Sequence, residues 1–359
     1  MNDRLTVSVA DLFPGSYLSP GTDKYVPRIG WEEYEQTFAM IENSPEVYAV
    51  RWPIYELWQD WCLQRFGALP SSGDPPGQGS ALAWPCAANA FRRIAASFQK
   101  HGYKPELATG GEAEIEVAIN GDGKIVVMQG NKRVALLRRH YGDCQVEVAV
   151  KHREDGWLQL LADLSKENGG EKLYQPLPHP EFADWPVTQP CQERLDMILG
   201  TLDGWTGWLL DIGCNTGWFC REFTKRDWAC IGLDTNPLLI RIADIMQNWQ
   251  YRKPLQSSFV QGDIANVASV QQFDICLCLS VIMHIFSQFG TEATWAILDA
   301  VSNKCGMMCL DCVWGGYSDA LPFTPETLGD EIVAHTRFAN YRLLGYSSHE
   351  HRPVYWFTK

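Results

Sequence analysis

Apolar positions recur along the chain with two different periods, and the change from one to the other divides it. "EIEVAIN" (Glu114–Asn120) alternates apolar and polar residues, as a half-buried strand does. "GDG" (Gly121–Gly123) supplies a turn and "KIVVMQ" (Lys124–Gln129) a second strand, which together predict a hairpin. "NKRVALLRRHYG" places apolar residues at 134, 136, 137 and 141, the spacing of a short amphipathic helix ended by Gly142. "QVEVAVKH" (Gln145–His152) alternates again. Later, short apolar runs exchange with helical periods. "GWLLDIG" (Gly207–Gly213), "ACIGLD" (Ala229–Asp234), "SFVQGD" (Ser258–Asp263), "FDICLCLS" (Phe273–Ser280) and "GMMCLDCVW" (Gly306–Trp314) read as strands. Between the first three lie helical segments "GWFCREFTKR" (Gly217–Arg226) and "PLLIRIADIMQNW" (Pro237–Trp249), the second opening with proline in its first turn. Such alternation predicts an α/β fold with a parallel, doubly wound sheet.

Two stretches interrupt the pattern. "LPSSGDPPGQGS" (Leu69–Ser80) reads as a loop or internal linker. "YQPLPHPEFADWPVTQP" (Tyr174–Pro190) holds five prolines and is barred from regular helix or strand. The expected division is therefore a smaller α+β domain over 1–165, a proline-rich linker over 166–190 and the α/β domain over 191–359. The Trp- and Tyr-rich segment between Trp31 and Gly102 yields no reading.

Composition narrows the function classes. The net charge is −13, from 30 Lys+Arg against 43 Asp+Glu. That balance disfavours duplex DNA as a partner, because phosphate neutralisation dominates such affinity. The longest strongly apolar run, "ICLCLSVIM" (Ile275–Met283), is too short to span a membrane. The first residues lack the charged and apolar regions of a secretory signal, and several of the 12 cysteines sit in apolar runs, as buried thiols do. The expectation is a cytoplasmic protein.

The most informative stretch is "LLDIGCNTGWF". A buried strand ends in Asp211, and a loop with Gly213 and Gly217 leads directly into a helix. Glycines let the backbone turn sharply and a ligand come close, and the helix start offers unpaired N–H groups. The next strand ends in Asp234, where an acid takes ribose hydroxyls. This much fits a dinucleotide or a nucleoside cofactor equally. The loop "DIGCNTG", the third-strand end "QGDI", the fourth strand "FDICLCLSVIMHI" and the closing "YRLLGYSSHEHRPVYWFTK" together resemble class I S-adenosylmethionine-dependent methyltransferases over roughly residues 190–359. The resemblance implies a Rossmann-like sheet with an antiparallel final hairpin and S-adenosylmethionine as cofactor. The cofactor residues it implies are Asp211, Gly213, Cys214, Asn215, Gly217, Asp234, Thr235, Asp263, Ile264 and Leu279. Asn215 stands where the family has its second glycine, and asparagine tolerates left-handed backbone.

Methyl transfer from a sulfonium is an in-line displacement that depends mostly on positioning. A hydroxyl acceptor also needs a base, and His284 follows the fourth strand at the edge where ligands of such sheets lie. The competing role for His284 is packing or capping at the following helix. His349 and His351 in the last hairpin are further candidates. Trp218 and Trp314 are candidates to face the sulfonium or acceptor, or to pack in the core. No "DPPY"-like tetrapeptide follows the fourth strand, which reads "SVIM"; this excludes the usual amino-methylating DNA enzymes. The expected acceptor is a small molecule, nucleotide-linked or glycan-type hydroxyl compound.

Upstream, "INGDGKIVVMQGNKRVALLRRHYGDCQVEVAV" and "RLTVSVADLFP" resemble the ParB/sulfiredoxin-like fold. The resemblance implies that Gly130, Asn131, Lys132 and Arg133 form an anion site for a nucleotide phosphate. The sequence lacks the sulfiredoxin cysteine and the ParB glutamate. The alternative is a helix start with a solvated basic face of Lys132, Arg133, Arg138 and Arg139. A nucleotide-dependent switch or kinase built on this domain is the rival to the methyltransferase reading. Finally, "KCGMMCLDC" (Lys304–Cys312) carries three cysteines spaced like the cluster ligands of radical S-adenosylmethionine enzymes. On a strand Cys309 and Cys312 point to opposite faces, which does not suit one cluster, and no metal is expected.

Overall fold

The computed structural model describes residues 3–14, 31–43, 93–100, 114–189, 191–250, 257–265, 271–313, 321–348 and 351–359. The chain forms two compact units, Met1–Leu160 and Leu161–Lys359. The loop expected over Leu69–Ser80 lies outside the described residues, as do His349 and Trp314.

In the first unit, strands β1 (Arg4–Ser8), β2 (Leu12–Phe13), β3 (Glu116–Ile119), β4 (Ile125–Gln129) and β5 (Gln145–Arg153) form one sheet in the order β1-β5-β3-β4-β2. The expected hairpin is present: β3 and β4 pair antiparallel. The Asn120 side-chain oxygen closes its turn, accepting from the N–H groups of Asp122 (3.1 Å) and Lys124 (2.8 Å). Helix α1 (Trp31–Asn43) packs beside α2 (Asn131–Tyr141), and the Trp31 indole N–H donates to the Leu12 carbonyl at 2.8 Å. The basic face expected on α2 is solvated only in part: Arg139 is exposed, whereas Arg133 is buried and Arg138 Nε donates to Glu35 at 3.0 Å. Helix α3 (Asp155–Glu167) spans the division between the units. Its Trp157, Leu160, Leu161 and Leu164 are buried at helical spacing.

The second unit contains α4 (Cys191–Leu199), β6 (Trp208–Ile212), α5 (Trp218–Thr224), β7 (Ala229–Asp234), α6 (Pro237–Gln250) and β8 (Ser257–Gln261). It continues with β9 (Phe273–Leu279), α7 (Ile282–Lys304), β10 (Cys305–Asp311), α8 (Leu328–His335), β11 (Asn340–Tyr346) and β12 (Pro353–Thr358). The strands form one sheet in the order β11-β12-β10-β9-β6-β7-β8. Strands β6 to β10 pair parallel, and β12 pairs antiparallel with both β10 and β11, as expected of the closing hairpin. Side chains of α4, α5 and α6 bury one sheet face, and those of α7 and α8 bury the other. The chain passes from β6 to β7 in one direction, while β9 pairs on the opposite side of β6. Strand order reverses there, which opens a crevice at the carboxyl ends of β6 and β9.

The proline-rich segment expected as a linker falls within the second unit. Proline bars ladders and helices but leaves side chains free to pack. Leu173 bridges to Val187, Phe182 is buried, and the His179 ring lies 4.4 Å from that of Trp249. The cysteine-rich stretch is strand β10. Met308, Leu310 and Cys312 enter one core and Cys309 the other. Burial pushes the Cys312 thiol up to about 12 and that of Cys309 well above its ordinary value.

Gly217 has φ +76°, and a Cβ there would lie 2.4 Å from the Phe259 ring. Gly217→Ala is expected to lower stability by about 2–4 kcal/mol, combining left-handed strain with overpacking, as read by chemical denaturation.

Candidate functional site

The loop after β6 is shaped by the neighbouring strand. The N–H groups of Gly213 (2.7 Å) and Cys214 (3.0 Å) both donate to the Leu233 carbonyl near the end of β7. This forces Gly213 to φ +69° and Asn215 to +53°. A Cβ on Gly213 would lie 2.3 Å from Val281, so only glycine fits. Asn215 meets the same backbone demand, and its side-chain oxygen accepts from Thr216 N at 2.8 Å. The Asp234 carboxylate accepts from Asn215 N and Asn236 N, both at 2.9 Å, which fixes it at the rim.

These elements enclose a cavity of about 330 Å³ at the crevice. Asp211, Gly213, Asn215, Asp234, Thr235, Asp263, Ile264 and Leu279 line it, as does His284. Cys214 and Gly217 shape the loop from behind: Cys214 is fully buried, and the Gly217 N–H donates to its carbonyl at 2.9 Å. Trp218 packs in the core with Phe219 and does not line the cavity. His351 stacks on Tyr346 at 4.3 Å.

The electrostatics are uneven. Asp211 is 2% exposed, and burial, reinforced by Asp234, raises its carboxyl to about 7. Arg194, also lining the cavity, donates to Asp311 at 2.9 Å and to Ser280 Oγ at 3.3 Å. Asp311 also accepts from Ser280 N and from Ser280 Oγ (3.1 Å), while Arg352 donates to Ser280 Oγ at 2.8 Å. The Ser280 hydroxyl is thereby fully used and is no candidate base. His284 is exposed at the cavity, and partial desolvation holds it below the usual imidazole value, which favours the neutral, proton-accepting form. On the far rim, Gln288 donates to Asp263 at 3.2 Å.

Sequence reasoning missed Tyr174, Gln175, Arg194, Ser280, Gln288 and Phe289, all of which line the cavity. One signal existed. Cys191, Leu195 and Ile198 form the apolar stripe of α4, and Arg194 sits within it. A cation on an apolar stripe needs a buried partner. Tyr174 and Gln175 lie in the segment taken for a linker, where no pattern marked them.

Residues 209–306 match a protein family described as a methyltransferase domain. No curated protein matches the chain. Among solved structures, the chain is similar to the bifunctional kinase-methyltransferase WbdD. That match has 22% identity and a TM-score of 0.46, and covers 55% of this chain and 46% of that one. It is also similar to magnesium protoporphyrin IX methyltransferase (ChlM) from Synechocystis PCC 6803 with bound SAM. There the identity is 15% and the TM-score 0.38, with 47% of this chain and 79% of that one covered. A third similar structure is the N-terminal domain of EvdMO1 in the presence of SAH and D-fucose, at 13% identity and TM-score 0.37, covering 48% and 85%. The family match over residues 209–306 gives the second unit a methyltransferase domain, for which S-adenosylmethionine is the cofactor. Among the described residues no group of three His, Cys, Asp or Glu could hold a metal ion, and no helix is long and apolar enough to cross a membrane.

The raised Asp211 carboxyl gives a stability prediction. The folded chain holds this proton up to about pH 7, whereas the unfolded chain releases it near the ordinary carboxyl value of 3.8. Stability is therefore lost as pH rises from about 4 to about 7. Asp211→Asn is expected to be more stable than the parent at pH 8, on the order of 2–4 kcal/mol, with the difference vanishing near pH 4. Denaturation at several pH values checks this.

Proposed function

We propose that the protein is an S-adenosylmethionine-dependent methyltransferase that O-methylates a small-molecule, nucleotide-linked or glycan-type acceptor. The observation that carries this reading is the cavity at the strand crossover, lined by three acids and one buried arginine. Its donors fit the cofactor. Asp234 has lone pairs left for ribose hydroxyls, and Asp263 is available to an adenine amino group. Asp211 suits an ammonium and Arg194 a carboxylate. When bound, the cofactor supplies an electrophilic methyl group on a sulfonium.

The chain's own work is orientation and proton removal. Gly213, Asn215 and Leu279 admit the ligand closely, and Thr235 and Ile264 flank its nucleoside end. His284 takes the acceptor proton at its imidazole, helped by the desolvation that keeps it neutral. The N-terminal unit has the five-stranded order and the glycine-led helix consistent with a ParB/sulfiredoxin-like domain. We assign it acceptor choice or regulation, through an anion site at Gly130, Asn131, Lys132 and Arg133. The protein acts in the cytoplasm in this reading.

Calorimetry with S-adenosylhomocysteine is expected to give micromolar binding that strengthens from pH 6 to 8 as Asp211 ionises (its carboxyl stands at about 7). Asp211→Asn binds more weakly and without that pH dependence. A folded protein that releases no heat would refute the reading. His284→Gln is expected to keep cofactor affinity and to lower methyl transfer by about 10²–10⁴-fold. Mass spectrometry of extracts supplied with methyl-labelled cofactor reads this and names the acceptor.

A further inference from the structure

The proline-rich segment holds the cofactor loop by polar bonds that packing alone does not require. Gln175, only 5% exposed, accepts through Oε1 from Trp218 N at 3.2 Å and from Thr216 Oγ1 at 3.3 Å. Helix α5 has no side-chain cap of its own, because Gly217 precedes it. Gln175 supplies the missing acceptor from 43 residues away. Arg221, buried inside α5, donates to the Thr216 carbonyl and to the Pro176 carbonyl at 3.3 Å, so the contact is made from both sides. The segment in turn closes on itself. Leu173 N donates to Pro186 O (2.9 Å), Thr188 N to Leu173 O (2.8 Å) and Gln189 N to Tyr174 O (3.1 Å). Tyr174 and Gln175 are therefore held as a fixed wall of the cavity beside the loop.

We propose that Gln175 is a positioning residue: its amide oxygen fixes the Asn215–Trp218 loop against the amino-acid end of the bound cofactor. This rests on the cofactor reading above. The amino-acid end is the one that Asp211 and Arg194, the buried acid and base of the cavity, match in charge. The bonds to Gln175 occupy the Trp218 N–H and the Thr216 hydroxyl and hold that stretch of backbone in place beside the cavity. Without it, Thr216 and Trp218 would turn to water, and the loop would keep its glycines but lose its fixed wall.

The test titrates the full chain and Gln175→Met, which keeps size and removes the acceptor, with S-adenosylhomocysteine and with 5′-methylthioadenosine, which lacks the amino-acid tail. The expected result is a loss of about tenfold for S-adenosylhomocysteine, with less than about threefold for methylthioadenosine. A loss under about twofold for the first ligand, or an equal loss for both, overturns the proposal while leaving the cofactor reading intact. Failure of the parent chain to bind either ligand refutes the cofactor reading itself, and the proposal with it. Should Gln175→Met not fold, Thr216→Val removes one of the two donors instead. It is expected to show the same tail-selective loss, and unchanged affinity for S-adenosylhomocysteine overturns the proposal.

Discussion

One carbonyl oxygen, that of Leu233, accepts from two successive N–H groups, Gly213 and Cys214, and the site follows from that contact. It draws the end of β6 against the end of β7 and leaves the next residues no extended path. Left-handed backbone at 213, 215 and 217 is the consequence, and each position has a residue that tolerates it. The turn is tight enough that Val281 and Phe259 fill the space a Cβ would need. A loop so constrained cannot close over the crevice between β6 and β9, and the cavity exists because of it.

Around that loop the molecule keeps charge in places where burial disfavours it. Asp211 is desolvated and stands beside a second acid, an arrangement unfavourable to the empty protein and favourable to a cationic ligand. Asp311 is the opposite case. Wholly buried, it accepts from the Ser280 N–H, the Ser280 hydroxyl and Arg194. Arg352 reaches the same serine. One carboxylate thus ties together α4 and the ends of β9 and β10, with Arg352, just before β12, joining through Ser280. Removing it would leave the buried Arg194 guanidinium without its carboxylate.

Much of the fold was legible in the local pattern. Strands β6, β7, β9 and β10 are short apolar runs bounded by glycine or acid, and periodicity finds such runs. The hairpin β3–β4 was marked by its turn residues. Helices α3 and α4 were equally amphipathic but adjoin the proline-rich segment, whose composition suggested a linker. Proline content reports that backbone ladders are absent and is silent about side-chain packing. Gln175 buries itself outside any regular element, and His179 and Phe182 do so at a single 3-10 turn, Pro180–Phe182.

The sequence by itself determined the loop and its acids. Gly213, Asn215, Asp211 and Asp234 lie within two strands and one turn, and the backbone demands on that turn are local. It also determined that Cys309 and Cys312 face opposite layers, since alternation along a strand is local too. Only the tertiary structure decided what completes the cavity. Gln175, Arg194, Ser280 and Gln288 come from segments far apart in the chain. Their meeting depends on strand order and on hydrogen bonds between distant residues, which no local spacing records. The burial that raises Asp211 and lowers His284 is likewise a property of the packed neighbours and not of either residue.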